Sequence, residues 1–511
     1  MMARPEATVR TRIRMPARVA HPFIHEINTW AWLNSIGVTE GRSIDLGSVP
    51  ARYWDELEDL GFDAVWLMGV WQRSPAGISI ALANTDLRAS FQAALPDWRP
   101  ADVVGSPYCI RDYVVDDHLG GPAGLAAARA ELAARGMRLI LDFVPNHVAP
   151  DHPWTSLRPE LFVAGSDADL ATDPASFVEV GGGVLANGRD PYFPAWPDVL
   201  QLNVFNPGMR AVAVQTVLSI ADQCDGVRCD MAMLVMNDVF ARTWAARVGP
   251  APTTEYWPTV IDTVRDTHPG FLFIAEAYWD LEWSLIQQGF DYCYDKRLYD
   301  RLLDGNVLQV RQHLLADSRY QNALVRFVEN HDEPRAASAF RERQASAAAV
   351  ATLTQTGARL THSGQLQGRR VRLPVFLGRF PDEPVDERIA DFYRVLLSTV
   401  SDPTFRNGHW ELCDVAGWSG NVTSDSLLAW CWKGAGRWLV VVNLSEATAV
   451  GRLRAPWQDL RDHRWWLTDP TQNLSFDRDG DDLVDGLYVE LEAWHWHLLR
   501  LDPIPGGHDQ F

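Results

Sequence analysis

Arg138–His147 reads RLILDFVPNH, a short apolar run that ends in an acid and passes at once into Pro, Asn and His. A run of that length without polar alternation reads as a strand buried on both faces, the pattern of a parallel sheet. The same pattern recurs as Phe23–Asn28 (FIHEIN), Ala64–Gly69 (AVWLMG), Gly226–Asp230 (GVRCD), Phe271–Glu276 (FLFIAE), Phe290–Asp295 (FDYCYD) and Val325–Asp332 (VRFVENHD), with Ala358–His362 (ARLTH) as an eighth. Helical segments lie between them. In GLAAARAELAAR, bracketed by Pro122 and Gly136, Leu125, Ala128 and Leu132 share one face. Pro near the first turn and Gly just past the last are ordinary helix punctuation. Eight strand–helix units predict an α/β fold, a (β/α)8 TIM barrel, whose active site forms at the C-terminal strand ends. Asp142, Asp230, Glu276 and Asp332 end candidate strands and can converge on one mouth.

Two stretches break the alternation. Between Asn146 and Asn206 the chain is rich in Pro, Gly and Asp and too long for an ordinary loop, so a small inserted domain is expected over residues 147–206, after the third strand. From about residue 405 short hairpins take over, the clearest being Leu427–Trp432, the Lys433–Gly436 turn and Arg437–Leu444. Leu487–Leu491 and Trp494–Leu501 are further strand candidates, with Trp494 and Trp496 as core residues by alternation. The expected organisation is a tail over residues 1–20, the barrel over 21–404 with its insertion, and a C-terminal antiparallel β-sandwich domain over 405–511. Residues 73–107 form a long connection able to cover the mouth. Asp477–Asp482 (DRDGDD) reads as a solvated acidic turn, because Gly480 stands fourth where a calcium loop needs Gly sixth.

The acids suit cleavage through an oxocarbenium-like transition state, which needs two carboxyl groups in different protonation states. Separate strand ends can hold them about 5–5.5 Å apart, the retaining arrangement. Asp230 is the candidate nucleophile, with Arg228 two residues earlier on the same strand face to keep it ionised. Glu276 is the candidate acid/base, its pKa raised by neighbouring carboxylates and by Tyr278 and Trp279 if they exclude water. Asp332 would bind sugar hydroxyls and strain the ring. Any one of these acids alone would more simply cap a helix or form a salt bridge. Three in this order, with Arg228, His147 and His331 beside them, favour chemistry.

These motifs resemble the α-amylase family of retaining glycosidases and transglycosylases over residues 23–500. Asp142–His147 resembles its first signature, Gly226–Asp230 its second, Glu276 its third and Glu329–Asp332 its fourth. Tyr108–Tyr113 (YCIRDY) is similar to the upstream Tyr-x-x-x-Asp-Tyr element, and Trp196–Asn203 to the motif closing the inserted domain. Gly364-Gln365 matches the segment after the eighth strand. The resemblance implies that Asp230 is the nucleophile, Glu276 the acid/base and Asp332 the transition-state stabiliser. It implies that Tyr108 stacks under the sugar, that Arg228, His147 and His331 contact the sugar or the nucleophile, and that Arg335 is either a sugar contact or an ordinary salt bridge. No cofactor is required. Met233-Leu234 stand where calcium-binding members carry Lys-His, which argues against a structural calcium between barrel and insertion and leaves Asn146 as the remaining candidate ligand. Cys109 replaces an Asp that many exo-acting members carry.

The composition fits that reading. With 46 basic and 66 acidic residues the net charge is −20, unsuited to nucleic acid or an anionic membrane and indifferent to a neutral sugar. No apolar stretch reaches signal-peptide or transmembrane length and the six cysteines are dispersed, so a cytoplasmic protein with free buried thiols is expected. The 22 tryptophans suit either a core or a sugar-stacking surface. The expected activity is retaining hydrolysis of α-glucosidic bonds in small α-glucosides or oligosaccharides through a covalent glycosyl–Asp230 intermediate. Rivals are a transglycosylase, isomerase or phosphorylase on the same fold; a catalytically silent amylase-like binding protein, which should lack an acid; and a metal-dependent hydrolase using Asp142, His147 and His331. The sequence leaves the oligomeric state open.

Overall fold

The structure, a computed structural model, describes residues 19–505, so the expected tail over residues 1–20 falls almost wholly outside the described residues. Eight parallel strands close into a barrel. They are β1 (Phe23–Asn28), β2 (Ala64–Met68), β3 (Arg138–Phe143), β4 (Gly226–Cys229), β5 (Leu272–Ala275), β6 (Tyr292–Tyr294), β7 (Leu324–Arg326) and β8 (Ala358–His362). They follow one another in chain order around the wall, and β8 closes on β1 through the pairs Phe23↔Arg359 to Glu26↔His362. Every residue of β1, β2 and β3 is buried, as near-continuous apolarity requires of strands covered on both faces. The helix Gly121–Ala134 has Pro in its first turn and buries Leu125, Ala128 and Leu132 against this wall.

One strand end differs from expectation. β7 stops at Arg326, and Phe327–Asp332 continues as irregular chain. The Asn330 side-chain oxygen accepts from the backbone N–H groups of Asp332 and Glu333, both at 2.9 Å, which folds the chain into a turn instead of the ladder.

Between β3 and the helix Pro207–Ala221 that leads to β4 lies a four-stranded antiparallel sheet, in the order His147–Val148, Trp196–Gln201, Gly183–Gly188, Phe177–Val180. The connection after β2 is built of two helices, Pro75–Ala83 and Thr85–Ala94, capped by Ser74 and Asn84. Their Ala81, Phe91 and Ala94 pack with Leu373 and Leu377 of the segment after β8.

The C-terminal part holds a six-stranded and a three-stranded antiparallel sheet around a second apolar core. In the strand Leu427–Lys433, Ala429 and Cys431 face that core while Trp430 and Trp432 face the barrel. Both indole N–H groups donate to the Thr354 carbonyl, at 3.1 and 2.8 Å. Trp494 and Trp496 are buried as alternation suggests, whereas Trp466 is exposed. The acidic DRDGDD segment is a helix start: Asp479 caps Gly480–Asp485 by accepting from Asp481 N–H. Carboxylates there complement the helix dipole. All six cysteines are buried free thiols. Among the described residues no helix is long and apolar enough to cross a membrane.

Candidate active site

Arg228 organises the mouth. Fully buried on β4, it donates from Nη1 to Asp230 Oδ1 at 2.7 Å. Its Nη2 lies 2.8 Å from Glu276 Oε2, an ion contact set off the hydrogen-bonding direction. The guanidinium stacks 4.9 Å from the Tyr108 ring centroid and 5.3 Å from that of Trp66. One fork thus joins the carboxylates that end β4 and follow β5.

Local backbone explains why these two acids converge. Asp230 N–H donates to Phe143 O and Glu276 N–H to Cys229 O, so each residue extends the barrel ladder by one step. The next residue, Met231, has φ of 41°, a left-handed conformation rare for its type. That turn points its N–H at Glu276 Oε2, 2.6 Å away. Tyr278 OH donates to the other oxygen, Oε1, at 2.9 Å. Burial pushes the Glu276 pKa up to about 7 against the pull of Arg228, with Asp230 and Asp332 adding to the rise. Burial also raises Asp230, opposed by Arg228. The two acids therefore titrate as a pair.

Asp332 is the most open of the three, its side chain 42% exposed. Desolvation would raise its pKa, but His331, 3.0 Å away through Nε2, outweighs that and holds it at about 2. The Tyr108 hydroxyl lies 2.7 Å from the same Nε2. His147 packs at a tilt against Trp196 with ring centroids 5.3 Å apart, and burial lowers its pKa to about 3, leaving it neutral. Tyr108, His147, Trp196, Asp230, Glu276 and Asp332 line one cavity of about 390 Å³.

Arg228 and His331 are buried behind that cavity and reach it through the carboxylates they contact, and two further sequence candidates also sit behind it. Asp142 accepts from Trp66 Nε1 at 3.1 Å and Gly69 N–H at 2.8 Å, tying β2 to β3. Arg335 does not line the cavity. It is buried and donates to Glu329 Oε1 at 2.6 Å and Ser363 O at 2.8 Å. Of its two sequence readings, the geometry is that of the salt bridge, bracing the loop after β7.

Calcium fits the junction of barrel and insertion poorly. The Asn146 carbonyl and Oδ1 both accept from Gln201 Nε2, each at 2.9 Å, and Leu202 O accepts from it at 3.2 Å. An amide nitrogen holds the oxygens a cation would need. Among the described residues no group of three or more His, Cys, Asp or Glu is placed to hold a metal ion.

Tyr278, expected from sequence only to keep water from Glu276, also donates to it, as its spacing of two residues could have suggested. Other residues at the site were not singled out from sequence. Glu26 is an acid inside a wholly buried strand, itself a signal. Phe376, on the cavity wall, and Tyr192 carry no local signal because irregular chain delivers them. Exposed Tyr192 of the insertion meets Trp279 edge-on at 4.8 Å, and Trp279 and Asp280 both have positive φ, 62° and 63°. A second cavity of about 510 Å³ adjoins the first through Met231 and Tyr278.

The family model for the alpha amylase catalytic domain matches residues 51–160. Alpha-amylase MalA of Haloarcula japonica is 25% identical over 358 residues, 66% of this chain and 43% of that protein. The chain thus spans less than half the length of that relative. Trehalose-6-phosphate hydrolase of Escherichia coli is 28% identical over 199 residues, 37% of this chain and 31% of that protein. The alpha-amylase structure from H. orenii superposes with a TM-score of 0.67 at 18% identity, covering 94% of this chain and all of that one (100%), a likeness of fold. The barrel, the insertion after β3 and the C-terminal sheets thus share the fold of solved alpha-amylase structures, and residues 51–160 are similar to the alpha amylase catalytic domain.

Proposed function

We propose that the protein is a retaining glycosidase that cleaves α-glucosidic bonds of small α-glucosides or oligosaccharides. The observation that carries this reading is the Arg228 fork, which touches Asp230 with one nitrogen and Glu276 with the other. Two carboxylates joined through one guanidinium are close enough for direct attack by one of them, and leave less room for the intervening water of an inverting enzyme. In the first step Asp230 attacks the anomeric carbon, the bond to the leaving oxygen breaks, and Glu276 transfers its proton to that oxygen. In the second step Glu276, now a carboxylate, takes a proton from water as the water oxygen displaces Asp230. Asp332 and His331 hold sugar hydroxyls, and Tyr108 supplies the stacking face. These steps use no cofactor, and the presence of Asp230, Glu276 and Asp332 on one cavity supports this reading over a silent binding protein.

Transfer to a second sugar is the alternative outcome of the second step. The pair formed by exposed Tyr192 and half-buried Trp279 beside Tyr278 favours it, since aromatic rings on the acid/base side can hold an acceptor. The test is product analysis with α-linked disaccharides, maltodextrins and sucrose, with and without phosphate. Free glucose without longer or isomerised products supports hydrolysis, longer or isomerised products support transfer, glucosyl phosphate supports phosphorolysis, and absence of turnover on the whole panel rejects the reading.

A further inference from the structure

Glu26 lies on β1, outside every motif that marks the site, and is completely buried. Its Oε1 meets His331 Nδ1 at 2.5 Å, and its Oε2 is buried without a hydrogen-bond partner. A buried carboxylate with one oxygen unpaired needs a cation beside it. His331 is correspondingly crowded by acceptors. Its Nδ1 faces Glu26, and its Nε2 faces Asp332 Oδ2 at 3.0 Å and the Tyr108 hydroxyl at 2.7 Å. A neutral imidazole has one N–H and cannot serve carboxylates at both nitrogens; an imidazolium can.

We infer that Glu26 is a positioning residue that keeps His331 doubly protonated and fixes its Nε2–H toward Asp332 and the sugar hydroxyl bound there. The sugar contact rests on the glycosidase reading; the ion pair does not. Burial alone would lower the His331 pKa, but Asp332 and Glu26 together hold it well above the ordinary value. The other groups around the pair have partners of their own. Asp142 of β3 is held by Trp66 and Gly69, and Arg228 of β4 by Asp230. The Tyr108 phenol is pushed well up by burial and stays neutral. His362 of β8, the register partner of Glu26, is kept low by burial and by Arg335.

The test uses the full chain labelled with [15N]histidine, the His331 signals being assigned by their loss in His331→Gln. In the wild type both His331 ring nitrogens should be protonated at neutral pH; a neutral ring there overturns the inference without any variant. In Glu26→Gln, which preserves shape, the His331 pKa should drop by about one unit or more, a tenfold shift in its protonation equilibrium. The kinetic arm measures kcat/KM against pH with α-glucosyl fluoride, whose leaving group needs little help from Glu276. The alkaline limb of Glu26→Gln should move to lower pH by the same amount, and Glu26→Asp should restore part of it. A His331 titration identical to wild type in Glu26→Gln overturns the inference, as does a uniform loss of kcat/KM at every pH. Failure of the wild type to turn over any α-glucoside, with the expected His331 titrations, rejects the glycosidase reading and leaves the ion pair supported.

Discussion

At the residue scale the site works by keeping two similar acids in different states. Asp230 and Glu276 share Arg228, yet Glu276 also sits in burial that lifts its pKa to about 7. Its protonated form is the working general acid, so kcat/KM on substrates with poor leaving groups should fall as pH rises through about 7. The acid limb should lie above the ordinary carboxylate range, because burial raises Asp230 and the nucleophile must be ionised. A profile flat across both regions would exclude these assignments. Glu276→Gln should lower kcat/KM by about 10²–10⁴-fold on such substrates and far less on α-glucosyl fluoride, whose first step needs no acid. Asp230→Asn should remove about 10⁴-fold or more with both kinds, its circular dichroism unchanged. The sequence made Asp230, Glu276 and Asp332 legible because each closes or follows a strand-like run. It could not distinguish Arg335 as a sugar contact from Arg335 as a brace, since that depends on Glu329 lying 2.6 Å from its guanidinium.

At the scale of elements, close contact between β4 and β5 sets the spacing of the two acids. Gly226 opens β4 opposite Leu272, and a Cβ there would fall 2.7 Å from Leu272 Cβ and 3.0 Å from its carbonyl oxygen. Gly226→Ala should therefore cost about 1–3 kcal/mol by overpacking, read by denaturant unfolding. It should also lower kcat by disturbing the Asp230–Glu276 pair. Unchanged stability and rate would show that the strands can part without consequence. The eight barrel strands were readable because burial on both faces leaves a continuous apolar run. The end of β7 was not, because one Asn330 side chain redirects the chain. The two helices within residues 73–107 gave only the sense of a long connection, since their packing partners, Leu373 and Leu377, lie far off in sequence.

At the scale of the whole molecule, the C-terminal sheets are structurally continuous with the barrel. Trp432 is fully buried, packs on Phe405 with centroids 5.6 Å apart and donates to Thr354 O. Trp432→Ala should destabilise the chain by about 3–5 kcal/mol, seen as one lowered unfolding transition. A separate early transition of the C-terminal part would contradict this coupling. Many of the tryptophans thus serve the core, Trp54, Trp66, Trp71, Trp257, Trp430 and Trp432 all being fully buried. At the junction with the insertion, Gln201 engages the oxygens of Asn146, so EDTA and added calcium should each leave Tm and kcat unchanged. A calcium-dependent rise in Tm would show that the Gln201 amide yields to a cation.

The most direct test of the central claim is peptide mass spectrometry of Glu276→Gln after incubation with α-glucosyl fluoride. Fluoride leaves without the acid while the second step lacks its base, so the account predicts that one glucosyl residue accumulates on the peptide carrying Asp230. Turnover without any adduct, or an adduct on a peptide without Asp230, would contradict it.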